Sequence, residues 1–564
     1  MQHSPSIDGG DGATPQATRF YYTYSKQYSS RSLLDETSQR GSTIQDRTIP
    51  AIPVNHDALT NIKYNGRLKR WPGIILFLVV VGGATAAITL FAIDAHISSM
   101  QHRETVQKML ANRARIESGL VDPSRDEKED DGVFNNPKRY KTLGCELPDY
   151  QSKRGKIWAV SKNGTEVPVA MKGVNWFGME TGMMAPFGLW DNDQNGTTVY
   201  VIANFLSANK FNSVRLPLCV ENILANKPLK DSFINRQTNR ALDLTNYLSL
   251  IQSIAKGLGY RSISVMLSMH TLNLMNTDGS LWYGKTTTEE QFMTSIDMYV
   301  RLTKALCSDE YWNILGVDLK NEPHEGTWGD GKKTDFKAAS ERIAARMLKG
   351  CPQWLGFVEG INQQHSITLD GNQYDYYDWY GGGLHPAKTT PPAFNTPNKL
   401  VYAPHYYTPA VFPQPYLYGG GVVGKHGAII GYKELDDEVL YGRVKNTMFD
   451  MFGFLNKDKA GPAVLLGEFG GLYSKDIHPR KTTQRCTDST IRVIVEEEYA
   501  GGYMWSLNPE SKYEFNPGDT RVDSYEGLLQ LDWRSANKPF LQAMEGLDKL
   551  KDLKPMPCFP IEKI

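Results

Sequence analysis

Cysteine is missing from the first 144 residues, and the six present (Cys145, Cys219, Cys307, Cys351, Cys486 and Cys558) all follow. They form no C-x-x-C pair and no paired histidines accompany them, so no metal site is expected. A charge bias is missing too, with 62 Lys+Arg against 62 Asp+Glu. Binding to a phosphate backbone needs a basic excess, so nucleic acid is not an expected partner. No G-x-G-x-x-G turn follows the first predicted barrel strand, where GVNWFG stands instead, and this argues against an open dinucleotide-binding sheet. There is no serine nucleophile elbow, no internal repeat, and no motif that asks for a cofactor. Charged residues make up 22% and hydrophobic ones 40%, which excludes wholesale disorder.

What is present begins with Trp71 to Ile93, 23 residues without a charge. About 20 apolar residues cross a bilayer core of ~30 Å. The segment follows 70 polar residues and is too long for the apolar region of a cleaved signal peptide, so it reads as a retained signal anchor in a lipid bilayer. Lys63, Arg67, Lys69 and Arg70 precede it closely, against Arg103 and Lys108 after it. The positive-inside rule then predicts a single-pass type II arrangement, with the bulk of the chain extracellular or lumenal. Two sequons, Asn163-Gly-Thr165 and Asn195-Gly-Thr197, lie on that side, as do all the cysteines. Disulfide connectivity is not deducible from spacing; Cys145 with Cys558, which bracket the folded region, is the favoured pair. The expected organisation is a disordered cytosolic tail (1–70), the anchor (71–93), a polar stalk (94–144) that is either extended or a continuation of the anchor helix, and a catalytic domain (145–564).

That domain opens on two predicted strands, Lys156 to Val160 and Val167 to Ala170, flanking an Asn163-Gly164 turn. Eight apolar runs then alternate with helical patterns: Ala170 to Val174, Ser213 to Leu216, Ile263 to Ser268, Leu315 to Leu319, Leu355 to Val358, Leu400 to Ala403, Ala463 to Gly467 and Gly502 to Trp505. Helices are predicted over Tyr247 to Gly257, Glu290 to Leu306, Phe336 to Leu348 and Thr487 to Tyr499. Eight βα units close a (β/α)8 TIM barrel, an α/β fold whose reactive residues sit at the strand C-terminal ends.

Those ends carry, in order, Asn175-Trp176-Phe177, Arg215, His270, Asn321-Glu322, Glu359, His405-Tyr406-Tyr407, Glu468 and Trp505. Eight polar or aromatic ends together point to an active site rather than to a barrel built for stability. Carboxylates flanked by aromatic platforms suit glycoside hydrolysis, in which one carboxyl protonates the leaving oxygen and another attacks or activates water. Glu359 fits better as an ion-pair or hydrogen-bond partner, and Asp318, inside the fourth strand, as a buried paired group.

The segments KGVNWFGME, GLW, VRLP, LWYG, LKNEPHEGTWG, FVEG, APHYYTP, LGEFGG and MWSLNPES, in this order, give the chain a specific resemblance. It resembles glycoside hydrolase family 5, and within it the microbial endo-β-1,4-glucanases, over most of Lys156 to about Trp533. The resemblance implies a retaining glycosidase with Glu322 as acid/base and Glu468 as nucleophile, acting on a β-glucan; the same mechanism on mannan or β-1,3-glucan, or a non-catalytic carbohydrate-binding barrel, is the alternative. It implies that Asn321 binds the sugar 2-hydroxyl, Arg215 keeps Glu468 ionised, Tyr407 donates to it, and His405 supports Glu322. It also implies that His270 lines the reacting subsite and Trp505 forms its floor, with Trp176 and Trp379 as further stacking platforms. The chain departs from many relatives in having Ser268-Met269, not an Asp or Arg, before the third-strand histidine.

Overall fold

The computed structural model describes residues 71–117, 137–192, 194–230, 233–297 and 301–561. The predicted tail (1–70) and part of the predicted stalk (118–136) lie outside the described residues. Two compact units divide at Glu117 and Ser118.

In the first unit a single helix runs from Trp71 to Glu117, 47 residues. It does not stop at Ile93, so the first part of the expected stalk continues the apolar helix. Trp71–Met100 is, among the described residues, the one stretch long and apolar enough to cross a membrane. Its large side chains, Leu76, Phe77, Leu90 and Phe91 among them, are exposed. Even its two threonines are satisfied within the helix, Thr85 Oγ1 donating to Val81 O and Thr89 Oγ1 to Thr85 O, both at 2.8 Å. That internal closure is what a polar group in hydrocarbon requires.

The second unit is the barrel. Its strands are β1 (Met171–Asn175), β2 (Ser213–Cys219), β3 (Ser264–Thr271), β4 (Ile314–Asp318), β5 (Leu355–Val358), β6 (Leu400–Tyr402 and His405–Tyr407), β7 (Ala463–Val464 and Leu466–Gly470) and β8 (Gly501–Met504). Each pairs in parallel with the next, and β8 pairs with β1. The ring is therefore closed. All eight strands are buried along their length, as parallel strands covered on both faces must be. β6 and β7 are each broken in two: Tyr402 pairs with Val464 below the break and His405 with Glu468 above it. The break belongs to the APHYY segment, where Pro404 cannot donate to a ladder.

Around the ring pack helices that begin on side-chain caps. Thr198 accepts from Val201 N ahead of Val199–Ala208, Asn246 from Ser249 N ahead of Tyr247–Gly259, and Asp335 from Ala338 N ahead of Phe336–Gly350. The helix predicted over Glu290 to Leu306 is instead two pieces, Glu289–Ile296 and Leu302–Leu306, with 298–300 outside the described residues.

A three-stranded antiparallel sheet (Asp149–Lys153, Lys156–Val160, Glu166–Val169) lies at the strand N-terminal end. Its last two strands and the Asn163-Gly164 turn follow the sequence; the first strand was not foreseen. Tyr150 N donates to Gln353 O, Ser152 N to Asn398 O, and Ala463 N to Ser152 Oγ, all beside the starts of β5, β6 and β7. Cys145 is bonded to Cys558, the favoured pair, and a second bond joins Cys307 to Cys351. Cys219 and Cys486 are free and buried.

Candidate active site

At the opposite end of the barrel the side chains converge on Arg215, which emerges from β2 fully buried. Its Nε and Nη2 donate to Asp318 Oδ2 at 3.0 and 2.6 Å, Nη1 to Asn175 Oδ1 at 2.9 Å, and Nη2 to Asn321 Oδ1 at 2.8 Å. Nη2 also reaches Glu359 Oε1 at 3.2 Å, and Nη1 donates to Glu468 Oε1. Burial works against this guanidinium's charge, and the carboxylates of Asp318, Glu468 and Glu359 overcome that cost and hold it protonated.

Glu468, on β7, is 3% exposed. One of its oxygens takes the Arg215 donor and the other takes the Tyr407 hydroxyl from β6. Glu322 sits beyond the end of β4 and is more open, its side chain 16% exposed. His405 Nδ1 is 3.0 Å from Glu322 Oε1, and His405 Nε2 is 3.1 Å from Glu359 Oε1. Burial opposes a charge on His405, but Glu359, Glu468 and Glu322 together raise its pKa well above the ordinary imidazole range. Asp318 is pushed up to about 7 by burial and by the charge of Glu359, with Arg215 pulling the other way. An oxygen of Glu322 and an oxygen of Glu468 lie within 4.8 Å of each other.

Aromatic rings stand over this cluster. Trp505, half-buried after β8, stacks on Phe177 with centroids 5.5 Å apart and on His270 at 6.1 Å. Burial, then the nearby charge of Arg215, lowers the His270 pKa well below its usual value, so its ring is neutral.

The family model described as Cellulase (glycosyl hydrolase family 5) matches residues 160–511, more than half of the chain. The chain belongs to glycosyl hydrolase family 5, and it is a glycosidase. Relatives in this family include the major extracellular endoglucanase of Xanthomonas campestris pv. campestris, 31% identical over 385 residues, covering 67% of this chain and 68% of the relative. An endoglucanase of Paenibacillus polymyxa is 28% identical over 395 residues, covering 69% and 84%. Among solved structures, a cellotetraose complex of the endocellulase from Pyrococcus horikoshii superposes with a TM-score of 0.57 at 28% identity, covering 72% of this chain and all of that one.

Within this family 5 barrel, Glu322, Glu468, Arg215, His270, Asn321, His405, Tyr407 and Trp505 all come together at one end of the ring. Trp379 lies close by, 4% exposed and edge-on to Tyr406 and Tyr407; its indole N–H has no hydrogen-bond partner among the described residues. Trp176 is placed differently from the expectation. It is fully buried, with Nε1 donating to Phe187 O at 2.9 Å, so it offers no free face for stacking. Phe177, the next residue, is the one that meets Trp505.

Other residues of the site take roles that the sequence does not assign them; Glu180 reads there only as a loop carboxylate able to bind sugar. Asn175 was noted only as a strand end, yet it holds Arg215. Glu180, buried in the loop after β1, accepts from Gly178 N at 2.7 Å and is pushed up to about 7 by burial. His324 and Tyr380 stack at 4.0 Å next to Glu322, His324 Nδ1 lying 3.0 Å from Glu322 O. The signal for His324 was present in NEPH; nothing local marked Tyr380.

Asp318, Glu359 and His405 bring three potential ligand atoms within 4.8 Å, as do Glu322, His405 and Glu468. Arg215 already donates to Asp318, Glu359 and Glu468, and His405 lies against the carboxylates of Glu322 and Glu359, so the ligand atoms of both groupings are already engaged with one another.

Proposed function

We propose that this family 5 glycosidase is an endo-β-1,4-glucanase that cleaves internal bonds of cellulose-like glucans with retention of configuration. The observation that carries the reading is the spacing of the two glutamates, whose oxygens approach within 4.8 Å. Retaining pairs stand about 5–5.5 Å apart, whereas inverting pairs stand about 6.5–9.5 Å apart to admit a water.

In this scheme Glu468 attacks the anomeric carbon while Glu322 gives its proton to the departing glycosidic oxygen. The C1–O bond breaks and a glycosyl ester forms on Glu468. Water then attacks C1, Glu322 takes its proton, the ester bond breaks, and the β-anomer leaves. Arg215 and Tyr407 orient Glu468 and fill both its oxygens, so that a lone pair faces the sugar. Neutral His270 and the rings of Trp505 and Phe177 make the floor of the reacting subsite. Asn321, whose oxygen is taken by Arg215, directs its amide N–H to the 2-hydroxyl. Endoglucanase activity is supported by the relatives' descriptions and by the cellotetraose bound to the Pyrococcus horikoshii structure.

The test follows the products of cellopentaose by NMR. Initial appearance of β-anomer supports retention, and initial α-anomer overturns it. Reducing-sugar release from carboxymethylcellulose, β-mannan and β-1,3-glucan, with Glu468→Gln as blank, assigns the linkage. Cleavage of mannan or β-1,3-glucan alone would keep the chemistry and change the substrate.

The domain boundaries are read as in the sequence: a cytosolic tail (1–70), the anchor Trp71–Ile93, a stalk to 144 and a catalytic domain (145–564) outside the cell or in a lumen. The two disulfides suit that oxidising side. Asn163 is exposed, its Oδ1 accepting from Thr165 N and Oγ1, and is the sequon asparagine read as glycosylated; Asn195 is half-buried and accepts from Trp190 Nε1 at 2.9 Å. Digestion of microsomes with protease, and a glycosidase-sensitive mass shift lost in Asn163→Gln, test the topology. Proteolysis of the barrel from the cytosolic side would overturn it.

A further inference from the structure

β5 ends on a carboxylate to which the hydrolytic scheme gives no task. Glu359 is fully buried. Its Oε2 accepts the backbone N–H of Glu322 at 2.8 Å. Its Oε1 accepts from Arg215 Nη2 at 3.2 Å and lies 3.1 Å from His405 Nε2, while the other ring nitrogen of His405 contacts the Glu322 carboxylate at 3.0 Å. One side chain therefore reaches Glu322 by two routes, through its peptide and, by way of an imidazole, through its carboxyl.

Glu322 needs such a hold. Its φ is +43°, in the left-handed region that a residue with a Cβ rarely adopts. The sheet is also running out at this point: Leu319 N donates to Phe357 O of β5 and Asn321 N to Met269 O of β3. For the next N–H the acceptor is no longer a strand carbonyl but the Glu359 side chain. The loop that follows closes directly over it. A Cβ at Gly381, whose φ is +75°, would stand 2.4 Å from Glu359 Oε2 and 3.1 Å from the His405 ring. Gly360 N donates to Gly381 O at 2.7 Å and locks that cover down.

We propose that Glu359 is the positioning residue of Glu322, setting the turn that aims the acid/base carboxyl without itself touching sugar. The proposal rests on the reading of Glu322 as acid/base. Glu359→Gln tests it, because the amide offers one acceptor and one donor where the neighbours present a donor to each oxygen, Glu322 N–H to Oε2 and Arg215 Nη2 to Oε1. Either way up, an N–H faces an N–H.

On cellopentaose, kcat is expected to fall about 100-fold, the scale of a misplaced general acid, with KM within about threefold. On 2,4-dinitrophenyl β-cellobioside, whose leaving group departs without a proton, added azide is expected to restore the rate to within about fivefold of the parent and to yield β-cellobiosyl azide. Equal losses on both substrates, or no loss on cellopentaose, in a protein that melts cooperatively, would overturn the proposal. Glu322→Ala is the reference. If azide rescues it but not Glu359→Gln, the proposal alone fails. If azide does not rescue Glu322→Ala either, the reading of Glu322 fails and takes the proposal with it. Should Glu359→Gln not fold, Glu359→Asp, which keeps the charge but withdraws it by one methylene, is judged on the same two substrates.

Discussion

Both ends of the barrel bury cations, and they use them differently. At the end that receives the N-terminal sheet, Lys399 is 3% exposed, its Nζ donating to Asp149 Oδ1 at 2.5 Å and Tyr150 O at 2.6 Å. Lys172 is 1% exposed and donates to Asp548 Oδ1 at 2.7 Å and Asn209 O at 2.9 Å. Each ammonium has a single carboxylate partner, and Asp149 and Asp548 still touch water. At the other end one guanidinium faces three carboxylates with almost no water. The first arrangement balances its charge locally and ties segments together. The second sets more carboxylates than that guanidinium can match in a dry site, where burial and the charge of Glu359 push Asp318 up to about 7 and the carboxylates raise the His405 pKa well above the ordinary imidazole range. Charge pairs that stabilise a fold are matched; a site that must move protons is poised where matching is incomplete.

That contrast can be broken from either side. The largest effect is expected from Glu468→Gln, which removes the proposed nucleophile: kcat falls about 10⁴-fold or more while the melting temperature stays within about 2 °C. Arg215→Leu couples both properties. It strands buried carboxylates, so stability falls by about 3–5 kcal/mol in urea titration and activity is lost with it. Opening the Cys145–Cys558 bond by the double Cys→Ser change lowers stability by about 2–5 kcal/mol and leaves kcat of the folded enzyme unaltered. Lys172→Met is milder, about 1 kcal/mol with no change in kcat, because Lys210 still faces Asp548 at 3.0 Å.

A fifth measurement reads the overfilled end through pH. The Asp318 pKa is higher in the folded state, about 7, than the unfolded value of about 4. The native state therefore binds the extra proton, and this contribution to stability is present below about pH 4 and fades as pH rises towards about 7. Asp318→Asn should flatten that part of the curve of melting temperature against pH. An unchanged slope would show that Asp318 is ionised throughout.

Most of the barrel was readable because buried parallel strands are short uninterrupted apolar runs, and each ends on a residue of a different character. Leu355–Val358 coincides with its predicted run, and Arg215, Glu322, His405 and Glu468 meet as their strand-end positions require. What escaped was decided by contacts between segments distant in the chain. Trp176 and Phe177 differ by one position, and in an extended chain one position changes the face a side chain takes; no composition rule says which ring turns inward. The strand Asp149–Lys153 has one apolar residue, Tyr150, and exists because Lys156–Val160 and the barrel floor receive it. Cys307 and Cys351 gave no sign of pairing, since their partners are brought together by folding. Tyr380 lies 58 residues after Glu322, and only the loop that closes over Glu359 brings it back.

The bond between Cys145 and Cys558 also changes what a protease can do to this protein. It closes the chain between them, a sequence separation of 413, into a covalent loop. A cut in any surface turn between the two cysteines yields two pieces that stay attached to each other and to the segment leading into Cys145. Release of the barrel from that segment takes a cut before Cys145, or a reductant together with one after it.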